Sequence, residues 1–464
     1  MIIPPGNREA RLNPALESWP SLAEANQRLS IAPLLENLRS QARREFADLT
    51  GLSSSQPWVM TGHQPEFVHP GVWMRFLLLD LLYQRWGLQG AAFAVDSDLT
   101  DRPAVEVPFL CRGDLLRRRV ELITEGGATY ESLLSPSVEA WRCFCKAIEE
   151  ALACPAGARA RLAFRRVGSF IPPAGSFPAF SVALRRFWEG TPSYPEICLS
   201  VITKIPSFGR FFRLLAEQAL PFATVLNTAL GGWRVQHRAR STAVPFPDLL
   251  IGPGLVELPF WWEKEGKRSP LFLKEGQLWT QDQPLGDIEE ALAAAAIRPR
   301  AVSLTLFMRL CLADLFVHGA GGADYEEVTD EVILRFFHAT PPAFVSATLT
   351  LFLPGEELSA GSLKRLLRDL EQRPERYLAN SQRAALKEAR ARKEAIMALG
   401  KLDRTGYRAL QATNEELRRP LRGQITALEK RVAAAEAARE VLSFRGYPFL
   451  FFQAEELREL LATL

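Results

Sequence analysis

Three short segments hold most of the residues in this chain that are equipped to do chemistry. Thr61-Gly62-His63-Gln64-Pro65, with His69-Pro70-Gly71 just beyond it, contains two of only five histidines. Imidazoles in such a loop give hydrogen bonds or charge to the oxygens of an anionic ligand, or they cap the helix that follows. Asp96-Ser97-Asp98, followed by Asp101-Arg102, offers carboxylates that orient a substrate amine or hydroxyl, hold a hydrated magnesium ion, accept a proton, or cap the next turn. Val317-His318-Gly319-Ala320-Gly321-Gly322-Ala323-Asp324-Tyr325 joins a third histidine to a glycine-rich turn. Glycines there permit positive φ and close backbone approach to a ligand, with helix capping by Asp324 as the plainer role. The turn is neither a Walker A loop nor a strict GxGxxG motif, and it has no lysine.

The surrounding elements explain why these segments should meet. Trp58 to Met60 is a short apolar run stopped by Thr61-Gly62, and Pro70-Gly71 opens Val72, Trp73, Phe76, Leu77, Leu79 and Tyr83 at helical spacing. Ala91 to Val95 is a second apolar run, so a strand-loop-helix-strand unit with parallel strands is expected. Leu315 to Val317 reads as a further strand, ahead of a helix with Val328, Val332, Ile333 and Phe336 on its apolar side. Ligands of parallel sheets bind beyond the carboxyl ends of the strands. His63, Gln64, Asp96, Asp98, His318 and Gly321 are therefore expected to line one cleft.

Along the rest of the chain, residues 1 to 55 read as a helical lead-in, with Ser21 and Glu24 spaced as a capping box and Leu29, Leu34, Leu35 and Leu38 available for packing. Residues 110 to 200 read as helical patches inserted over the core. Ser207 to Ala219 predicts a helix, Ala223 to Leu226 a strand, Leu255 to Thr280 a small antiparallel meander and Leu285 to Ala296 a helix. From Leu363 to Leu442 the chain becomes charged and alanine-rich, and Leu421, Ile425, Leu428, Val432, Ala435 and Leu442 trace a coiled-coil seam. Gly400 and Gly406 bracket a reversal, with Pro374 and Pro420 as kinks, so residues 363–442 are expected to form an antiparallel hairpin. Residues 443–464, with Gly446-Tyr-Pro-Phe-Leu-Phe-Phe, are too apolar for a free tail and should pack on the core of residues 1–362.

Composition narrows the class. The chain has 464 residues, 47% of them hydrophobic, enough for a large core, and its formal charge of +3 gives no reason to expect nucleic acid as a partner. Cys111, Cys143, Cys145, Cys154, Cys198 and Cys311 lack CxxC spacing and neighbouring histidines, so neither zinc nor a disulfide framework is predicted. The opening residues lack a secretory h-region, and no apolar run is long enough for a bilayer; a cytoplasmic protein without membrane partners is expected.

Taken in order, these segments resemble the bacillithiol-biosynthesis cysteine-adding enzyme family, whose core is similar to the nucleotidyltransferase fold of class I aminoacyl-tRNA synthetases. Thr61-Gly62-His63-Gln64 stands where the family has Thr-Gly-Gln-Gln, and Val95-Asp96-Ser97-Asp98 partly matches its Glu-Asp-His-Asp. His318-Gly319-Ala320-Gly321-Gly322 with Tyr325 stands in place of a Gly-Gly-Pro-Gly-Glu turn ending in tyrosine. The meander through Glu265-Gly266-Lys267-Arg268 and the coiled coil from Leu363 recur in the same order, so the resemblance spans most of residues 56 to 442. His63, Ser97 and His318 depart from the family's glutamine, histidine and glycine, and its arginine-proline pair falls on Leu304-Thr305.

The resemblance implies an α/β fold: a Rossmann-like, nucleotidyltransferase-like parallel-sheet core with inserted segments and a C-terminal α-helical coiled coil. It also implies a carbon–nitrogen ligase that joins the carboxylate of cysteine to the amine of glucosaminyl malate. In that reading His63 and His318 stabilise phosphate charge, Gln64 orients the donor, and Asp96 or Asp98 holds the acceptor amine. Thr61, Gly62, His69, Gly319, Gly321, Gly322, Asp324 and Tyr325 then bind substrate or nucleotide. No metal ligand set and no tightly bound cofactor are expected; ATP or ADP binds weakly to moderately, with magnesium when ATP is used. Other readings are a different adenylate-forming nucleotidyltransferase on the same fold, or a non-catalytic paralogue that assembles through its coiled coil. A homodimer through residues 363–442 is the expected quaternary state.

Overall fold

The computed structural model describes residues 5–29, 33–124, 126–154, 157–353 and 360–464. The chain opens with strand β1 (Glu9–Asn13), helices α1 (Trp19–Gln27) and α2 (Pro33–Thr50), then β2 (Trp58–His63), α3 (Pro70–Trp86) and β3 (Gln89–Ala94). A hairpin of β4 (Ala104–Cys111) and β5 (Asp114–Glu121) follows, with α4 (Val138–Ala151), α5 (Ala158–Phe164), α6 (Phe177–Glu189), β6 (Glu196–Cys198), α7 (Leu199–Ile202), α8 (Pro206–Glu217) and α9 (Ala219–Gln236). The middle holds β7 (Ile251–Gly252), β8 (Leu255–Lys264), β9 (Lys267–Lys274), β10 (Gln277–Trp279), β11 (Pro284–Gly286), α10 (Ile288–Ala293) and β12 (Ile297–Pro299). Next come α11 (Ala301–Phe307), β13 (Leu315–His318), α12 (Ala320–Ala323), α13 (Glu326–Arg335) and β14 (Phe344–Thr350). The chain closes with α14 (Ala360–Gln372), α15 (Asn380–Ala385), α16 (Lys387–Ala398), α17 (Arg404–Arg418), α18 (Arg422–Leu442) and α19 (Ala454–Ala462). Among the described residues no helix is long and apolar enough to cross a membrane.

The main sheet has the order β1-β14-β13-β2-β3-β6. Its five strands from β14 to β6 are parallel, and β1 closes one edge antiparallel to β14. Both faces are covered, as a parallel sheet requires. Alternation along the strands divides the core in two. Val59, Ala92, Leu315 and Val317 enter the cluster beneath α3 and the C-terminal segment. Trp58, Met60, Ala91, Phe93 and Phe316 point the other way, into the cluster with α2, α8, α9 and α13. Helix α3 sits against β14, β3 and β2 with twelve of its residues buried, among them Arg75 and Asp80.

At the amino-terminal edge of the sheet a single carboxylate ties three elements together. Asp314, just before β13, accepts from the Trp58 amide at 2.7 Å and is paired with Arg39 and Arg43 of α2. Arg43 also donates to the carbonyls of Ser54, Gln56 and Leu312 and lies over the Trp58 ring at 4.0 Å. Asn26 of α1 adds a second brace, donating to the carbonyls of Asp314 and Ala343 and accepting from the Ala343 amide.

Several local expectations change. Ala223 to Leu226 is not a strand but part of α9, because Phe222, Ala223, Leu226, Ala229, Leu230 and Trp233 recur at helical spacing and are buried. Ser21 does not open a capping box; α1 has begun by Trp19, and the Ser21 hydroxyl donates to the Ser18 carbonyl. Leu34 is exposed while Leu35 and Leu38 pack inward. Residues 110 to 200 carry strand as well as helix: the end of β4, all of β5, and β6, which joins the main sheet beside β3. Leu285 begins as β11, and α10 starts only after Asp287, which with Glu290 forms a capping box.

In the C-terminal part, α14 packs on α18 and α16 on α17, so the chain doubles back between Leu399 and Asp403, where Gly400 has φ +71°. Short 3-10 turns at Pro374–Arg376 and Arg419–Leu421 interrupt the two arms. Leu421, Leu428 and Val432 are buried against Leu363, Leu370 and Leu378 of the same chain, whereas Leu442 leaves this cluster for the main core. Tyr447 and Phe449 to Phe452 are buried in that main core, and the Phe449 amide donates to the Val68 carbonyl.

Replacing Asp314 by alanine leaves the buried Arg43, the partly buried Arg39 and a strand amide without their carboxylate acceptor. Unfolding by denaturant should show a loss of about 3–5 kcal/mol. A loss within the scatter of surface substitutions would show that the Asp314 brace does not hold the sheet edge.

Candidate functional site

A deep concavity lies at the carboxyl edge of β2 and β13. Counted along the chain, the sheet grows one way from β2 through β3 to β6 and the other way through β13 to β14. The crevice between β2 and β13 is thus the point where strand order reverses, and ligands of open parallel sheets bind at such points. A cavity of about 550 Å³ is found there, lined by Gly62, His63, Gln64, His69, Asp98, His318, Gly319, Gly321, Gly322 and Tyr325, among others. A smaller cavity of about 260 Å³ adjoins it and shares His63, His69 and Val72.

Each anticipated residue has a definite place. Gly62 is required: a Cβ there would lie 2.3 Å from the Phe93 ring. Thr61 is fully buried and does not line the cavity; its hydroxyl donates to the Val317 carbonyl at 2.9 Å and joins β2 to β13. His69 is the N-cap of α3. Its Nδ1 accepts from the Gly71 amide at 3.0 Å, which leaves the proton on Nε2, and its carbonyl takes the Val72 and Trp73 amides. The first-turn amides of α3 are therefore engaged with His69, not free to cradle an anion. His63 turns its Nδ1 to the Gln64 carbonyl at 3.2 Å.

Burial depresses the His63 imidazole to about 3, with the nearby Arg75 charge pushing the same way. Burial, then Arg445 and Arg75, depress His69 to about 4. Both rings are thus neutral at pH 7, and they offer hydrogen bonds instead of the charge considered from sequence. His318 stands with Nε2 3.1 Å from Glu326 Oε1, without the alignment of a hydrogen bond, and its ring leans on Phe316 and Phe344. Glu326 in turn accepts from Thr305 at 2.7 Å and pairs with Arg309. Burial alone would raise the Glu326 carboxyl, yet His318, Arg309 and Thr305 together hold it down to about 2.

The two aspartates part company. Asp96 does not line the cavity: it is buried, and its two oxygens take the amide and hydroxyl of Ser200 in the first turn of α7. Capping consumes it, and burial raises its carboxyl above the usual range. Asp98 lines the cavity and accepts from Gln64 Nε2 at 2.7 Å and Arg268 Nη1 at 2.6 Å. Three separate segments thus converge on one carboxylate. Asp324 also lies off the cavity lining; its carbonyl accepts from the Trp233 indole at 3.0 Å. Among the described residues no group of three histidine, cysteine, aspartate or glutamate side chains is placed to hold a metal ion.

Four arginines in and around the site, and the Trp261 ring, were not anticipated. Arg268 and Arg300 lie 4.9 and 3.9 Å from the centre of the Trp261 ring, and Arg300 pairs with Glu257. Arg300, Arg75 of α3 and Arg445 of the C-terminal segment line the cavity, and Arg268 stands behind Asp98. Arg75 was legible in one respect, as the only charge between Val72 and Leu79 in a run apolar on every side. Arg445 carried no such signal.

No model of a known protein family matches the chain, and comparison with curated proteins finds no match.

The depressed histidines make stability depend on pH. As pH falls below 6.5 the unfolded chain gains these protons before the folded one, so stability present at pH 7 is lost on acidification toward their folded values. Between pH 7 and pH 5 each ring should cost about 2 kcal/mol. Denaturant unfolding at both pH values should show a smaller loss in His63→Gln than in the unmodified chain; an equal loss would refute the assignment for His63.

Proposed function

We propose that the chain is a cytoplasmic carbon–nitrogen ligase of the cysteine-adding type, joining an amino-acid carboxylate to a sugar amine of the glucosaminyl malate kind on a Rossmann-like, nucleotidyltransferase-like core. The strand order supports the fold reading, because the parallel strands numbered along the chain run 3-2-1-4-5 across the sheet. The observation that carries the functional reading is Asp98. Its carboxylate faces the cavity, is oriented by Gln64 and Arg268, and is suited to hold an acceptor ammonium group. Asp96, spent on Ser200, is withdrawn from that role.

Amide formation from a free carboxylate is uphill in water, so the donor needs activation, with ATP and magnesium as the co-substrate pair. Within the chain, neutral His63 and His69 supply directed hydrogen-bonding groups, while Trp261, Phe246 and Tyr325 add aromatic surface to the wall. Gln64 does two jobs at once: its side-chain amide holds Asp98 and its carbonyl fixes the His63 ring. The helical hairpin serves self-association in this reading. Leu428 and Val432 are used up within the chain, which leaves exposed Met397, Leu399 and Tyr407 about the hairpin reversal as the surface for a second copy.

Two experiments test the reading. Purified protein given cysteine, glucosaminyl malate, ATP and magnesium should form the amide, followed by mass spectrometry, and Asp98→Asn should lower kcat/KM roughly 100-fold. Pyrophosphate exchange into ATP without any amine, and no amide product, would favour the broader nucleotidyltransferase reading. For assembly, light scattering at micromolar concentration should report a dimer that Leu399→Glu with Tyr407→Glu converts to a monomer without loss of helix content. A monomeric unmodified protein would end the dimer proposal.

A further inference from the structure

The cavity carries positive charge that no acid among the described residues balances. Arg300 on its wall is paired with Glu257, Arg268 beside the wall is paired with Asp98, and the one glutamate of the lining, Glu326, is paired with Arg309. Arg75 and Arg445 are different. Arg75 is 5% exposed, and its nearest polar neighbours are the Thr61 hydroxyl at 3.5 Å and the Gly62 carbonyl at 3.4 Å, both marginal contacts. Its Nε has no partner, and among the described residues it makes no ion pair. Arg445 gives one side of its guanidinium to the Thr348 hydroxyl and the Leu349 carbonyl, and its Nε is likewise unpartnered.

A buried cation without a counter-charge is costly, and most buried charges in folded chains are paired. Here burial pulls the Arg75 guanidinium down to about 10, with no neighbouring acid opposing it. The cost is present in the empty protein and is relieved when an anion enters. Geometry gives that anion a place: Arg75, Arg445 and Gly319 line the same cavity, and a Cβ added to Gly319 would already touch Arg75 Cζ at 3.8 Å, so the glycine keeps the approach to the guanidinium open. Both charges depress His69, whose Nε2 proton is left free by the N-cap bond to Gly71. Two cations and one neutral N–H donor therefore share one part of the cavity wall.

We propose that Arg75 and Arg445 form a subsite for a compact dianion on the substrate, a phosphoryl group or a pair of neighbouring carboxylates, with His69 Nε2 as a further donor. The proposal rests on reading the cavity as the substrate site, but not on ligase chemistry. The number of uncompensated charges sets the preference for two negative charges over one, and the guanidinium planes favour flat or tetrahedral oxyanions.

The test measures binding without turnover. Thermal unfolding and calorimetry of the full chain with inorganic phosphate, succinate, acetate and chloride at equal ionic strength should show stabilisation by phosphate, succinate or both, and little by the two monoanions. Response to phosphate alone identifies a phosphoryl group; response to succinate alone identifies paired carboxylates. Arg75→Met should melt no lower than the unmodified chain without anion, and should weaken dianion binding about tenfold or more. Arg445→Gln, at a less buried position, should weaken it as well and serves if the first variant does not fold. Equal stabilisation by all four anions, none by any, or undiminished binding in the variants that fold would overturn the proposal. Amide formation without a dianion effect would overturn it alone, and a dianion effect without amide formation would count only against the ligase reading.

Discussion

The carboxylate of Asp314 fixes how β2 and β13 lie against each other, and the far ends of those strands inherit that registration. Its backbone and side chain grip Trp58 from both directions: the Asp314 amide donates to the Trp58 carbonyl and the carboxylate receives the Trp58 amide. With that pair set, Leu315 falls beside Val59 and Phe316 beside Met60. A slip of one residue would turn Phe316 and Val317 to the wrong faces of the sheet and empty both cores. At the opposite edge the same registration brings the Thr61 hydroxyl to the Val317 carbonyl and sets His63 and His318 on a common cavity. The charges used for this brace are fully answered by α2 and by backbone carbonyls, so the edge that holds the fold is electrostatically closed.

The cavity edge follows the opposite rule. Asp98 and Glu326 each have their cations, and the cations left over face the cavity and not each other's acids. Neutral histidines fit this arrangement, since two further protons beside Arg75 would compound an existing repulsion. The site's polarity thus comes from few fixed charges in an enclosed space, where each acts at longer reach than it would in water.

How much of this was written plainly in the chain differs from element to element. Strands β2, β3 and β13 and helix α3 were legible because apolar runs of the right length end in turn residues, and the meander was legible from its Glu-Gly and Lys-Glu-Gly turns. The α9 segment misled because Ala-Thr-Val-Leu is compatible with either period when read over four residues; only the full spacing from Phe222 to Trp233 decides it. Strand β1 was invisible, since Glu9–Asn13 is an edge strand half exposed along its length and its partner lies at the far end of the core sequence. Asp96 and Asp98 could not be told apart in advance. What separates them is Ser200 and Arg268, more than a hundred positions away in the chain, and no local pattern announces such partners.

One more consequence belongs to the order in which the chain is made. The cavity wall draws on α3 near the start and on Arg445 near the end, and the strap that carries Arg445 is anchored by Phe449 on the Val68 carbonyl. A nascent chain that has just delivered β14 to the ribosome exit holds every strand of the sheet, but lacks this strap and the aromatic residues that seat it under α3. Until translation passes that point the wall lacks Arg445, and Trp73 lacks the Phe449 ring that packs on it. The cavity wall is therefore completed only when the last helices have been made, and the underside of α3 around Trp73 is the apolar surface that waits for them.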